Sequence, residues 1–80
     1  MDTYSAVKNR LLVLLDEKKM SIHKLAMESS VPPSTIKNIL YEKSKNPGIV
    51  TLKMLCEGLN ISLIEFFNTN EFIELEQEIK

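Results

Sequence analysis

The stretch that decides the fold is residues 21–43, SIHKLAMESSVPPSTIKNILYEK. Ser21 is typical of the residue before a helix, because its hydroxyl can accept a hydrogen bond from an amide of the first turn. Small or apolar side chains then recur at helical spacing and predict one buried face on a two-turn helix. The members of this face are Ile22, Leu25, Ala26 and Ser29.

Two prolines separate this first helix from a second one. Pro33 suits the first position of a helix, where a missing N–H costs nothing. The residue before each proline is pushed toward extended geometry, so Val31 and Pro32 are expected to lie outside the helix. The second helix is predicted to bury Ile36, Ile39 and Leu40 and to expose Ser34, Thr35, Lys37, Asn38 and Tyr41. Two short helices joined by a tight turn, the second with a polar outer face, form a helix-turn-helix arrangement.

The segment resembles the helix-turn-helix of the Cro/cI-type family, the lambda-repressor-like or XRE-like regulators. The resemblance depends on several positions over residues 5–67 that match the family in residue type and in spacing. The matching positions are Leu25-Ala26, Val31, Ile36, Ile39, Asn46-Pro47 and residues 59–63, LNISL. It implies a lambda-repressor-like bundle of five helices that binds double-stranded DNA. We therefore expect an all-α fold of five helices, to which the sequence adds a short acidic C-terminal appendage.

The sequence departs from the pattern of that family in three respects. Ile22 stands where the family usually has a glutamine that contacts phosphate, and Ser30 stands where it usually has a glycine. Leu15 and Leu40 stand where it often has a buried Arg–Glu pair. Because both members of that pair are apolar here, the exchange is expected to leave the fold intact, with the two leucines in contact.

Composition narrows the classes of function. The 80 residues are 44% hydrophobic, which is enough for one small core. A single cysteine excludes an internal disulfide, and with a single histidine it excludes an ordinary zinc site. The chain lacks a run long enough to span a membrane, a signal peptide and any catalytic cluster. We therefore expect a cytoplasmic protein that is not an enzyme, with no cofactor, no metal and no evident small-molecule ligand.

Charge is divided unequally along the chain. Residues 1–56 carry nine basic and five acidic side chains, a net charge of +4. Residues 57–80 carry one basic and six acidic side chains, a net charge of −5. This division is compatible with a basic half that faces phosphates and an acidic tail that is held away from them.

The remaining elements follow from periodicity and capping residues. Helices are predicted over residues 3–18, over 49–58 and over a short segment that Ser62 caps. The helix over 49–58 is predicted to end at a left-handed Asn60 and to bury Ile49, Leu52, Leu55 and Cys56. Phe72, Leu75 and Ile79 have helical spacing, so residues 71–79 could form one more helix. We expect a DNA-binding domain over residues 1–68 and an acidic tail over residues 69–80.

The exposed side chains of the second motif helix are the predicted base readers: Pro33, Ser34, Thr35, Lys37 and Asn38. Asparagine suits adenine, lysine suits guanine, and a threonine methyl suits the thymine methyl group. Phosphate contacts are predicted at the start of the first motif helix and in the loop after the second. They are Ser21, Ile22, His23, Lys43, Lys45 and Asn46. For each of these residues the alternative is an ordinary solvated position.

The predicted function is sequence-specific binding of double-stranded DNA, in a transcriptional repressor of prokaryotic or phage type. Proteins with this motif usually bind as dimers. A homodimer is predicted through the fifth helix and the tail, with Leu63, Phe66, Phe67 and Phe72 in the interface. The alternative at this end is that Phe66 completes the core and the tail frays. The alternative function is an antitoxin-like interaction module with weak or no DNA binding.

Overall fold

The computed structural model describes residues 1–79, and that range contains six helices and no strand. The helices are α1 (Thr3–Glu17), α2 (Ile22–Ser29), α3 (Pro33–Leu40), α4 (Ile49–Leu59), α5 (Leu63–Phe67) and α6 (Asn70–Ile73). The prediction of an all-α fold is confirmed. The first five helices match the predicted ones within two residues, and α6 is a single turn.

Side chains cap three of the helices, two of them at the predicted Ser21 and Ser62. The Asp2 carboxylate accepts a hydrogen bond from the Ser5 amide at 2.8 Å and so caps α1. Bonding to Ser5 holds the pKa of the Asp2 carboxyl below its ordinary value. The Ser21 hydroxyl caps α2 by accepting from the Lys24 amide, and the Ser62 hydroxyl caps α5 in the same way. Each cap satisfies one of the amides that a helix start leaves without a partner.

Two helices end at a non-glycine residue in the left-handed conformation. Ser30 ends α2 with φ 61°, and Asn60 ends α4 with φ 60°. Past Asn60, the Ile61 amide donates to the Cys56 carbonyl at 2.9 Å, which is the pattern of a left-handed helix stop. The first of these turns leads into α3, and the second follows α4.

The core is formed by all of the first five helices. The largest completely buried side chains are Phe66, Leu11, Leu25, Ile36, Ile39, Leu55, Leu59 and Cys56. Leu15 and Leu40 both lie in this core. Burial raises the pKa of the Cys56 thiol, so it behaves as a small apolar side chain.

α2 and α4 approach each other closely at Gly58. A Cβ built on Gly58 would lie 2.7 Å from the Ser29 Cβ and 2.9 Å from the Ser29 amide nitrogen. Only a residue without a side chain fits there, which explains why a glycine is tolerated inside α4. The contact fixes α2, the first helix of the motif, on α4.

Long-range hydrogen bonds attach α1 to α5 and to α3. The Arg10 guanidinium donates to the carbonyl oxygens of Phe66 at 2.8 Å and Glu65 at 3.0 Å. The Phe66 carbonyl is one that a helix end leaves without a helical partner, whereas the Glu65 carbonyl also accepts from the Asn68 amide at 3.4 Å, so Arg10 reinforces the C-terminal end of α5. The Tyr4 hydroxyl donates to the Ile39 carbonyl in the last turn of α3.

The predicted buried face of α4 is wrong at its first residue. Ile49 is 60% exposed, and the buried face runs instead through Leu52, Leu55, Cys56 and Leu59. The first turn of α4, with Ile49 and Val50, projects beyond the core, so periodicity alone extends the face one turn too far.

The predicted helix over residues 71–79 is also wrong, because α6 ends at Ile73. Phe72 packs against the core, whereas Ile79 is 86% exposed. The segment after α6 bonds to the start of the chain: the Glu76 amide donates to the Met1 carbonyl at 3.2 Å. Helix propagation over residues 74–78 would also place acidic side chains four apart near a helix C-terminus, which is unfavourable.

Phe66 is fully buried, so it is not available for the predicted dimer surface. Its ring lies 4.9 Å from the ring of Phe67 and 6.0 Å from that of Phe72, measured between centroids. The aromatic cluster therefore closes the core at this end, and the alternative in which Phe66 completes the core describes that residue correctly.

Candidate nucleic-acid interface

α3 has one apolar side and one polar side. Its inner side carries Ile36 and Ile39, which are almost completely buried. Its outer side carries the predicted base readers: Pro33, Ser34, Lys37 and Asn38 are exposed and Thr35 is half-buried. The structure brings all five onto one surface, where their polar groups are available to a ligand.

Contacts at both ends fix the orientation of this surface. At the start, the Pro32 carbonyl accepts hydrogen bonds from the Thr35 and Ile36 amides at 3.0 and 3.3 Å. Val31, in the turn before it, is buried in the core. At the end, the Tyr4 hydroxyl holds the last turn of α3 through the Ile39 carbonyl. The polar side of α3 is thus presented by a backbone that is anchored on the core.

The chain turns sharply after α3 and keeps its next basic residues beside the helix. Glu42 has φ 64°, and the amides of Lys43 and Ser44 both donate to the Asn38 carbonyl at 2.9 Å. The side chains of Lys43, Lys45 and Asn46 are exposed. Three predicted phosphate contacts therefore follow the C-terminal end of the polar surface directly.

Tyr41 lies at the same end and is 62% exposed. Helical periodicity predicts it on the outer side of the helix, and it is not among the predicted DNA contacts. Tyr41 follows Asn38 by three residues and Lys37 by four. Residues at this spacing are neighbours on a helix surface, so the spacing places Tyr41 beside the polar surface. Its hydroxyl and ring can contact a sugar or a phosphate.

The start of α2 offers backbone amides rather than side chains. The amides of Ile22 and His23 make no hydrogen bond within residues 1–79. The Ile22 side chain packs against the core, so only its amide is available, whereas His23 is exposed. Free amides at a helix start attract an anionic group such as phosphate.

Ion pairs leave the positive charge concentrated at α3 and the following loop. Three lysines pair with glutamates at 2.9 to 3.6 Å, namely Lys8 with Glu42, Lys24 with Glu28 and Lys53 with Glu57. Arg10 is engaged on α5. Among the described residues, the lysines without an ion pair are Lys18, Lys19, Lys37, Lys43 and Lys45. Three of these five belong to the candidate interface.

The acidic tail is not held away from this surface, contrary to the sequence-based expectation. The Glu78 carboxylate accepts hydrogen bonds from the Thr3 amide at 3.3 Å and the Thr3 hydroxyl at 3.0 Å. Glu78 lines the same cleft of about 430 Å³ as Lys45 and Asn46. The tail therefore folds back along the start of α1, beside the loop that carries the predicted phosphate contacts.

Residues 1–79 contain no group of three or more His, Cys, Asp or Glu side chains that could hold a metal ion. None of the helices described for the chain has the length and apolar character that crossing a membrane requires.

The geometry defines a helix-turn-helix protein whose second motif helix presents a polar surface. A family model for the Cro/C1-type helix-turn-helix DNA-binding domain matches residues 10–71, which is most of the chain. The protein belongs to this family and is a DNA-binding transcriptional regulator. The family assignment does not favour the alternative of an interaction module without DNA binding.

Solved structures support the same fold. The chain is similar to prophage Lp1 protein 11, with 28% identity, a TM-score of 0.79, and coverage of 94% of this chain and 100% of that one. It is also similar to the restriction-modification controller protein C.Esp1396I, with 25% identity, a TM-score of 0.79, and coverage of 92% and 95%. A point mutant of the same controller aligns with a TM-score of 0.81 at 25% identity, with coverage of 95% and 100%. No curated protein matches the chain.

Proposed function

We propose that the protein is a repressor of prokaryotic or phage type that acts in the cytoplasm and reads a specific DNA sequence with α3. The observation that carries this proposal is the polar side of α3, which lies opposite a completely buried side and is anchored at both ends. Recognition helices of this motif lie in the major groove and read base edges from their exposed side chains. Lys37 and Asn38 have the chemistry for guanine and adenine.

The residues around α3 position the protein on the phosphates. Lys43, Lys45 and Asn46 follow its C-terminal end, and the free amides of Ile22 and His23 start α2. Phosphate contacts fix register on the duplex and carry no sequence information of their own. The exposed hydroxyl of Tyr41 would add one more contact of this kind.

Selection of a preferred duplex from a random DNA pool tests the sequence specificity. We expect one enriched sequence with two related half-sites, because dimers of this motif bind half-sites about 34 Å apart. A pool that stays random, while the protein still binds duplex DNA, would overturn sequence-specific reading.

The salt dependence of affinity tests the role of the loop lysines on the phosphates. Lys43→Ala and Lys45→Ala should each weaken binding to specific and random duplexes alike, because each removes one positive charge per protomer from the phosphate backbone. The slope of log K against log salt should fall by about one unit for each phosphate that is no longer neutralised. Lys53→Ala is the matched control, since Lys53 pairs with Glu57 on α4, outside the candidate interface. An unchanged slope in the Lys43 and Lys45 variants would mean that these lysines do not contact phosphates.

A second copy of the chain is the partner that best fits the exposed apolar surface of α4 and α5. A groove of about 540 Å³ is lined by Ile49, Leu63, Ile64, Phe67 and Asn68. Ile64 is 82% exposed, and the adjacent Val50 is exposed as well. Large aliphatic side chains grouped on a surface mark an interaction site. This interface keeps Leu63 and Phe67 from the sequence-based prediction and adds the first turn of α4 in place of Phe66 and Phe72, neither of which lines the groove.

Sedimentation of two variants tests the homodimer. Ile64→Glu places a charge in the groove and should give a monomer at concentrations where the parent protein is dimeric. Ile73→Glu is the matched control, because Ile73 is similarly exposed on α6 but does not line the groove. A monomeric parent at tens of micromolar would overturn the dimer, and a monomer in the control alone would move the interface onto α6.

A further inference from the structure

Residues 74–79 of the acidic tail run past a cleft of about 430 Å³ beside the candidate interface. Glu78 of the tail lines this cleft together with Thr3 at the start of α1 and with Lys45 and Asn46 of the loop after α3. Lys45 and Asn46 are two of the predicted phosphate contacts. The tail therefore lies where this loop would meet the DNA backbone.

Two sets of hydrogen bonds attach the tail to the start of the chain. The Glu78 carboxylate accepts from the Thr3 amide at 3.3 Å and the Thr3 hydroxyl at 3.0 Å, and the Glu76 amide donates to the Met1 carbonyl at 3.2 Å. Phe72, just before this segment, packs against the core. Contacts between exposed groups are weak, because water competes for each of them. Residues 74–79 can therefore detach while Phe72 keeps them beside the cleft at a high local concentration.

Lys45 lies among acidic groups at this end of the molecule. The pKa of the Asp2 carboxyl is lowered mainly by its bonds to Ser5, and the positive charge of Lys45 adds to the effect. Residues 74–79 carry three further glutamates, of which Glu78 lines the cleft. Lys45 forms no ion pair within residues 1–79, so its ammonium group is available to another anion. A DNA phosphate that approaches Lys45 must come close to these carboxylates, and like charges repel.

We propose that residues 74–79 are an autoinhibitory segment, which occupies the cleft beside Lys45 and Asn46 in the free protein and is displaced by the DNA backbone on binding. This inference rests on the proposed function, because it requires phosphates to contact the loop after α3. The segment lowers the affinity for specific and random duplexes by the same factor, since phosphate contacts carry no sequence information.

A single neutral substitution in the tail tests the inhibition. Glu78→Gln keeps the size of the side chain and removes its charge, so the affinity for a random duplex should rise about fivefold at low salt, the factor for one like-charge pair about 4 Å apart in water. The gain should vanish near 1 M salt, where the Debye length is about 3 Å. Glu71→Gln is the matched control, because it makes the same charge change on α6 and does not line the cleft. Equal gains in the two variants would overturn the inference, because they would reflect net charge alone.

A double-variant comparison assigns the inhibition to Lys45. The gain that Glu78→Gln gives is measured again in a Lys45→Ala background, where it should fall toward one, because the lysine that the tail shields is absent. Lys43→Ala is the matched background: Lys43 is on the same loop but does not line the cleft, so the gain should persist. A gain that persists equally in both backgrounds would mean that the tail does not act through the cleft, and would overturn the inference.

Nuclear magnetic resonance of the amides separates displacement of the tail from a tail that stays in place. The Thr3 and Glu76 amides both donate in contacts of the tail, so on addition of duplex their resonances should shift and their exchange with water should become faster. If both stayed unchanged while the amides of residues 43–46 shifted, the tail would remain bound in the complex and this inference alone would be wrong. A protein that binds no duplex would overturn the proposed function together with it.

Discussion

α3 and α5 are both short helices that bury one side and expose the other, yet their exposed sides differ in chemistry. Ile36 on α3 and Phe66 on α5 are completely buried in the same core. The outer side of α3 carries Lys37 and Asn38, whereas the outer side of α5 carries Ile64. The inner residues therefore serve stability in both helices, and the outer residues determine which partner each helix accepts. A polar side fits a ligand rich in hydrogen-bonding groups, and an aliphatic side fits another apolar surface.

Leu40→Glu, on the inner side of α3, should destabilise the protein severely. Leu40 is buried, so the new carboxylate would have neither water nor a partner, and the free energy of unfolding should fall by about 3–5 kcal/mol. Leu15→Arg in the same chain should recover part of this loss if the two side chains are in contact. Urea unfolding of the two single variants and the double variant measures the coupling, and strictly additive changes would mean that they do not touch.

Phe66→Ala tests whether α5 belongs to the same core as α3. Removing a fully buried ring should cost about 3–5 kcal/mol of unfolding free energy, because both transfer energy and packing are lost. Ile64→Ala, two residues away and exposed, should change the stability of the monomer by less than about 0.5 kcal/mol. Equal effects of the two substitutions in thermal unfolding would contradict the division of α5 into a structural and an interaction side.

Asn38→Ala tests whether the outer side of α3 reads bases. It should cost about 1–3 kcal/mol of binding free energy on the preferred duplex and relax preference at one base position. Stability should stay almost unchanged, since the side chain is exposed. If affinity for specific and random duplexes fell equally, Asn38 would be a positioning residue rather than a base reader.

The two left-handed turns before α3 and before α5 should respond differently to glycine. A left-handed backbone costs an ordinary residue about 1–2 kcal/mol, but asparagine tolerates it. Glycine relieves that cost and adds about 0.5–1 kcal/mol of unfolded-chain entropy. Ser30→Gly should therefore raise the unfolding free energy by about 0.5 kcal/mol, whereas Asn60→Gly should give no gain. Paired urea titrations detect this difference, and a larger gain at Asn60 would reverse the argument.

The motif was predictable because its signals are local. Ser21 marks a helix start through its hydroxyl and Pro33 through its ring geometry, and the structure uses both as boundaries. The buried positions of the two motif helices follow helical periodicity. The surface placement of Lys37 and Asn38 follows from the same periodicity, because a residue opposite a buried face is exposed.

The regions that the sequence predicts wrongly, or does not predict, are determined by tertiary contacts, which helical periodicity does not reveal. Ile49 has the spacing of a core residue, but the core ends before the first turn of α4. Residues 74–78 have the spacing of a helix, but their backbone and carboxylates bond to the start of the chain instead. Gly58 carried no sequence signal that it meets Ser29, since that contact joins residues far apart in the chain.

The two tyrosines of the chain occupy opposite environments, and the protein has no tryptophan to mask their emission. Tyr4 is partly buried, with its hydroxyl donating to the Ile39 carbonyl, so its fluorescence responds to the packing of α3 against α1. Tyr41 is exposed beside the polar surface, where a bound duplex would quench it by proximity to the bases. In a Tyr41→Phe variant the remaining emission reports only on folding, so the protein carries separate intrinsic optical probes for unfolding and for ligand binding, without any added label.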